Sequence, residues 1–302
     1  MISRPTLARI AIFVLAAAAV TAAPHAFLRH GTVLASDTSV DVPVQSCSDL
    51  QSQFDHRSSV MDSEEITITK SEAPTLHVHA GSNGGGVYVR GWDKEAYSVT
   101  LCKAVEEGPG GHSVLSDMHL DYHGGDLRVS TPRSGARWTA HLLIRAPKEA
   151  VLDIQMQKGP IILYHVDGNL KVRGENGPVS VIRCTGELEI ASFNGPVTLD
   201  ENAGKQFVRV ENAPLRVRLS GNSWNGPGLE ASTRNGALTL ELPPGYRSGV
   251  LLESEGQGIF RCDGAVCAEG RKTSDNDHRR VEFGSGPTLV RVSTVNGTVS
   301  ID

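Results

Sequence analysis

Aspartate and histidine alternate at Asp117, His119, Asp121 and His123. On an extended strand all four side chains leave the same face, and imidazole and carboxylate are ligands for divalent metals. Neighbours two apart on a strand are about 6–7 Å apart, so only some of the four could share one ion. A solvated polar strand face is the plainer reading, and His77 and His79 form a shorter pair of the same kind. Five cysteines offer redox chemistry: Cys47, Cys102, Cys184, Cys262 and Cys267. Cys262 and Cys267 enclose a short Asp-Gly-containing loop, which suits a local disulfide, and Cys47 with Cys102 is a further candidate pair. Cys184 is then left as an unpaired, partly buried thiol, although spacing alone does not fix the connectivity. The sequence holds no CxxC redox pair and no four-ligand zinc spacing.

Enzymes that cut polysaccharides on stacked strands need carboxylates or basic groups gathered on one face. Glu187, Glu189, Glu201 and Glu211 are instead scattered between strands and turns. Serine is plentiful, but no G-x-S-x-G elbow occurs. Gly84-Gly-Gly and Gly108-Pro-Gly-Gly read as turns, since no phosphate-loop lysine follows. Asn296-Gly-Thr matches a glycosylation sequon but falls in a repeated turn. The expectation is a non-enzymatic chain without a cofactor.

The elements that carry these residues are set by a repeat. Turns recur at Gly159, at Asn176-Gly177, Asn194-Gly195 and Asn212-Ala213, then at Asn235-Gly236 and Asn296-Gly297. The second turn residue advances by 18 at each of the first steps: 159, 177, 195, 213. The next step is 23, and an insertion around 222–228 accounts for the excess. Two and four residues beyond each turn stand aliphatic pairs such as Ile161 and Leu163, Val179 and Val181, Val197 and Leu199. Ile162, Ser180, Thr198 and Arg216 lie between the pairs and point outward. This alternation is that of half-buried strands. A second strand follows Gly168, Gly186 and Gly204, with an inward column of Leu170, Leu188, Val172, Ile190 and Val208. Asn and Gly tolerate the positive φ that such turns would demand. The spacing therefore predicts 18-residue coils, stacked about 4.8 Å apart so that each strand pairs with the next copy of itself.

Alternating segments at Ile66–Thr69, Leu76–His79, Val87–Arg90, Tyr97–Leu101, Met118–Tyr122, Asp126–Ser130 and Trp138–Arg145 form a looser amino-terminal β part. Arg4 and Arg9 precede an apolar run, Ile10–Ala23, with the layout of a secretory signal peptide. At 14 residues the run is shorter than the roughly 20 that span a bilayer. Cleavage near Ala23 and retention as an uncleaved anchor both remain open. Residues 1–23 are thus a signal peptide, 24–62 a linker or loosely held arm, and 63–302 the β domain. Residues 268–280 read as an exposed charged loop. The net charge of −5, with both signs interspersed and few aromatics, gives no reason to expect nucleic acid.

Val87-Tyr-Val-Arg-Gly-Trp-Asp, Ile144-Arg-Ala-Pro, the repeated Asn-Gly-Pro-Val steps and the closing Ser293-Thr-Val-Asn-Gly-Thr-Val-Ser-Ile carry a resemblance. Over roughly residues 64–302 the chain resembles the bacterial putative-adhesin family of exported β-strand-repeat proteins of unknown function. The resemblance implies an envelope location and an adhesive or structural role, and brings no catalytic residues. Asn212-Ala-Pro departs from it by losing the glycine.

The expected fold is an all-β parallel solenoid, or β-helix, right-handed by the general bias of parallel crossovers. The expected function is surface contact with an envelope or extracellular protein or glycan, in the periplasm, at the cell surface or outside the cell. The alternative is a self-assembling scaffold, because the last strand, near Ile301, would leave an unpaired edge unless the 268–280 segment covers it.

Overall fold

Where aliphatic residues alternate with polar ones, every second side chain can be withdrawn from water while the strand ladder satisfies the backbone. The computed structural model describes residues 46–49, 58–81, 84–132, 137–256, 258–262, 266–275 and 278–302. Residues 1–23, read from the sequence as a signal peptide, lie outside the described residues. The protein is all-β, with two large sheets enclosing one main apolar core.

The amino-terminal part comprises β1 (Ser59–Thr69), β2 (Leu76–Ala80), β3 (Val87–Gly91), β4 (Ala96–Glu106), helix α1 (Gly111–Asp117), β5 (His119–His123), β6 (Asp126–Ser130) and β7 (Trp138–Ala146). β1 begins inside the span read as a linker. The repeats follow as β8 (Ala150–Lys158), β9 (Ile161–Tyr164), β10 (Asp167–Asn176), β11 (Val179–Ile182), β12 (Thr185–Ser192), β13 (Val197–Asp200), β14 (Lys205–Val210), β15 (Leu215–Arg218), β16 (Gly228–Thr233) and β17 (Leu238–Glu241). Then come β18 (Gly249–Glu255), β19 (Phe260–Cys262), α2 (Val266–Glu269), β20 (Arg271–Asp275), β21 (His278–Phe283), β22 (Thr288–Thr294) and β23 (Val299–Ile301).

The repeat strands alternate between the sheets and pair in parallel with their copies one repeat away. Val179 lies opposite Val197 in one sheet and Leu170 opposite Leu188 in the other, both 18 residues on. At the insertion the offset becomes 23, as Leu215 meets Leu238. Val181, Leu240 and Ile301 are wholly buried, and Ile161 and Val179 nearly so.

The sheets are nevertheless mixed, which corrects the expectation of parallel pairing throughout. β1, β4 and β7 are antiparallel neighbours, as are β5 with β6 and β18, β21 and β20 in turn. Residues 268–280 are not a plain exposed loop. The described residues among them, 268–275 and 278–280, include the end of α2, all of β20 and the start of β21, and β20 pairs antiparallel with β21 at the sheet edge. The closing strand β23 is not an edge either, since it pairs with β17 on one side and the earlier β19 on the other. In the other sheet β22 likewise sits between β16 and β18. Asp117 ends helix α1, with Met118 capping it, so neither extends the following strand. Val114 and Leu115 bury against Val105 and Met118, and that small core holds the helix where alternation alone suggested a strand.

The turns also differ from expectation. Gly159 has φ +115°, but the turn asparagines and Gly177, Gly195, Gly236 and Gly297 do not fall in the left-handed region. Glycine is needed at Gly195 because a Cβ there would collide with the Gly177 carbonyl of the repeat beneath. The asparagines stack into a ladder. Asn194 donates to Asn176, Asn235 to Asn212 and Asn296 to Asn235, each at 2.9 Å, with Asn212 to Asn194 at 3.3 Å. Left-handed backbone recurs in the opposite turns, at His165, Arg183 and Glu201, again 18 apart.

Cys47 is bonded to Cys102 and Cys262 to Cys267, with Cα atoms 5.3 and 5.7 Å apart. Cys184 is a buried free thiol, and burial pushes its pKa up to about 12.

Candidate binding cleft and outer faces

In strands β3, β7 and β9 the aliphatics at Val89, Ile144 and Leu163 point into the core, so Tyr88, Arg90, Leu143, Arg145 and Ile162 point out. β3 pairs with both other strands, which lines up Ile162, Tyr88 and Leu143 as one row. Tyr164, Arg90 and Arg145 form the next row. The first row is largely apolar and floors a cleft of about 480 Å³. The Ser46–Cys47 segment, tied to β4 through Cys102, and Trp92 add to its lining. Arg90 and Arg145 rise from the second row. The Arg90 guanidinium lies 5.5 Å from the Tyr164 ring centroid, and that of Arg145 lies 5.9 Å from the Trp92 ring. Lys94 covers Trp92 at 4.9 Å.

Two residues before Leu143, on the same side of β7, lies the buried His141, 5.8 Å ring to ring from Tyr88. Its Nδ1 accepts the Gly86 N–H at 3.0 Å, and its Nε2 meets the Thr139 hydroxyl at 2.8 Å. Burial drives the His141 pKa down to about 4, so the ring is neutral at pH 7. It holds the floor in place and offers no charge to a ligand.

The second feature is a charged row across the outer face of the other sheet. His123, Asp126, His77, Asp153, Lys171 and Glu189 are successive cross-strand partners on β5, β6, β2, β8, β10 and β12. Lys171 and Glu189 approach to 3.3 Å, and His77 and Asp153 to 3.8 Å. In the adjoining row His79 reaches Asp126 at 3.2 Å, and His123 bonds Asp121 at 3.1 Å. Of the four residues first singled out, the structure thus keeps His119, Asp121 and His123 on β5 and removes Asp117 to the helix. His77, His79 and His123 each pair with one aspartate. Among the described residues no three His, Cys, Asp or Glu side chains converge as a metal site would require.

A third group links repeats on the cleft-bearing sheet. Arg218 binds Asp200 through two nitrogens, Arg183 bonds Glu201 at 2.7 Å, and Arg216 bonds Glu241. The Arg183 guanidinium holds the Glu201 carboxyl below its ordinary range. Such partners stack between repeats and brace the face. Asp200 with Arg218, Arg183 with Glu201, and Glu187 with Lys205 are each 18 apart, a charge periodicity present in the sequence beside the aliphatic one. The outward direction of Arg90 and Arg145 is likewise implied by alternation. Their adjacency is not, because it depends on β3 pairing with β7 across a long connection.

No family model and no curated protein matches the sequence. Solved structures similar to it include a putative cell adhesion protein from Clostridium sporogenes, 12% identical, covering 80% of this chain and 99% of that one, with a TM-score of 0.32. A putative adhesin from Bacteroides fragilis is 10% identical and covers 80% and 96%, with a TM-score of 0.36. A putative adhesin from Parabacteroides merdae is 11% identical and covers 80% and 96%, with a TM-score of 0.33.

Proposed function

We propose that this chain is an exported, non-enzymatic β-solenoid that works by surface contact with a protein or glycan of the envelope or extracellular space. The observation that carries the reading is the unbroken outer face. Cross-strand rows such as His123–Asp126–His77–Asp153–Lys171–Glu189 run over six strands with side chains in fixed register. A regular polar face of this kind suits many weak contacts spread over an extended partner. Two disulfides fit an oxidising compartment. Self-assembly by stacking of ends is the second reading, and the interior position of β23 weighs against it.

The test presents residues 24–302 to immobilised envelope glycans and envelope proteins, beside a variant carrying Arg173→Glu and Arg209→Glu. Both arginines are exposed on the row next to the charged one. The expected result is saturable binding to one ligand class, weakened about tenfold or more in the variant while its circular dichroism is unchanged. Absence of binding to every ligand, or cleavage of any polysaccharide, would overturn the reading.

A further inference from the structure

Arg90 and Arg145 are direct cross-strand neighbours, and both point outward. Like charges in that position repel each other and destabilise a sheet. Several arginines elsewhere on the outer faces are matched to carboxylates, as Arg218 is to Asp200 and Arg183 to Glu201. Among the described residues neither Arg90 nor Arg145 has a carboxylate within ion-pair range. Each lies instead near an aromatic ring, Tyr164 or Trp92, a contact that orients the guanidinium and leaves its N–H groups available. Two adjacent guanidiniums supply enough donors to grip both oxygens of one carboxylate. Beside them lies the floor of Tyr88, Leu143 and Ile162, half-buried or buried, where an outer strand face is ordinarily polar.

We propose that this cleft binds an anionic amphiphile, a single apolar chain ending in a carboxylate. The carboxylate sits between Arg90 and Arg145, where it relieves their repulsion. The chain lies along Tyr88, Leu143 and Ile162 and is held by removal of apolar surface from water. A volume of about 480 Å³ falls within the range of small-molecule sites. The rings near the arginines are already occupied by cations, which favours an aliphatic chain over a sugar ring needing a free aromatic face. The site does not depend on the envelope-contact role, since a chain failing every glycan and protein screen could still take this ligand.

The experiment is calorimetric titration of residues 24–302 with monomeric dodecanoate, alongside butanoate, dodecyltrimethylammonium and a uronic-acid oligosaccharide. Dodecanoate is expected to bind one to one, and the other three at least about tenfold more weakly. The double variant Arg90→Met/Arg145→Met keeps the apolar stems and is expected to lose about tenfold or more in dodecanoate affinity, with unchanged circular dichroism. A second variant, Leu143→Gln, removes floor rather than charge and is expected to weaken dodecanoate severalfold. Equal affinity for dodecanoate and the cationic detergent would overturn the proposal, as would equal affinity for butanoate. Tighter binding of the oligosaccharide, or undiminished dodecanoate binding by the double variant, would overturn it too.

Discussion

Gln206 occupies a position that its sequence neighbours give to leucine. It lies between Leu188 and Leu229 in the inward column and is almost fully buried. Its Nε2 donates to the Ala203 carbonyl at 3.0 Å, while its Oε1 is buried without a partner. An unsatisfied buried acceptor costs about 1–3 kcal/mol, so Gln206→Leu is expected to stabilise the fold by about 1 kcal/mol or more in urea unfolding. No change, or a loss, would mean that the amide supports the 203–206 turn by more than its orphaned oxygen costs. His141 makes a second residue-level prediction. Its folded pKa, about 4, lies below the ordinary value of 6.5, so the unfolded chain binds the proton more readily. Its contribution is fully present above about pH 6.5 and is lost as the pH falls towards 4, on the order of 3 kcal/mol. Denaturant midpoints measured from pH 7 to pH 4 should fall for the parent and stay flatter for His141→Gln. At this scale the sequence is legible in part. Aliphatic columns and turn glycines announce themselves by type and spacing. The reason for the asparagines was misjudged, because a ladder between repeats and a left-handed turn residue favour the same amino acid.

The strands β9, β11, β13, β15 and β17 were readable in register because one face is buried, and a slip of one residue would turn every aliphatic outward. Val181 is wholly buried and Ser180 half-exposed beside it. Val181→Asp places an unpaired charge in the core and is expected to cost about 4 kcal/mol or more, whereas Ser180→Asp should stay within about 1 kcal/mol. Thermal melts of the two variants check this, and equal melting temperatures would refute the register. Strand direction in the amino-terminal part was not readable. Alternation is the same for parallel and antiparallel neighbours, so β1, β4 and β7 gave strands without their pairing. The hairpin of β20 and β21 was hidden for another reason. Arg271–Asp275 carries charge and no aliphatic stripe, because an edge strand has little core to face. Helix α1 was masked by its start, where glycines that usually signal a turn lead into it, Gly110 with φ +83°.

Across the β domain, the two ends of each sheet decide whether molecules can stack. At one end the edges are β1, which carries Asp62, Glu64 and Glu65, and β5, with its exposed histidines. At the other they are β19, three residues long and adjoining the Cys262–Cys267 disulfide, and β20, with Arg271 and Lys272. Short, charged and twisted-away edges are the usual means by which sheets avoid pairing with other chains. The late strands β22 and β23 insert inside the edges of their sheets, with β23 next to last, so the repeat does not finish on a copy of itself. The work of the molecule therefore falls to the faces and the cleft, with the ends closed. Static light scattering of residues 24–302 over a wide concentration range tests this most directly. A monomer is expected, with the mass of one chain at every concentration. A mass that keeps rising with concentration would contradict it and give the scaffold reading first place.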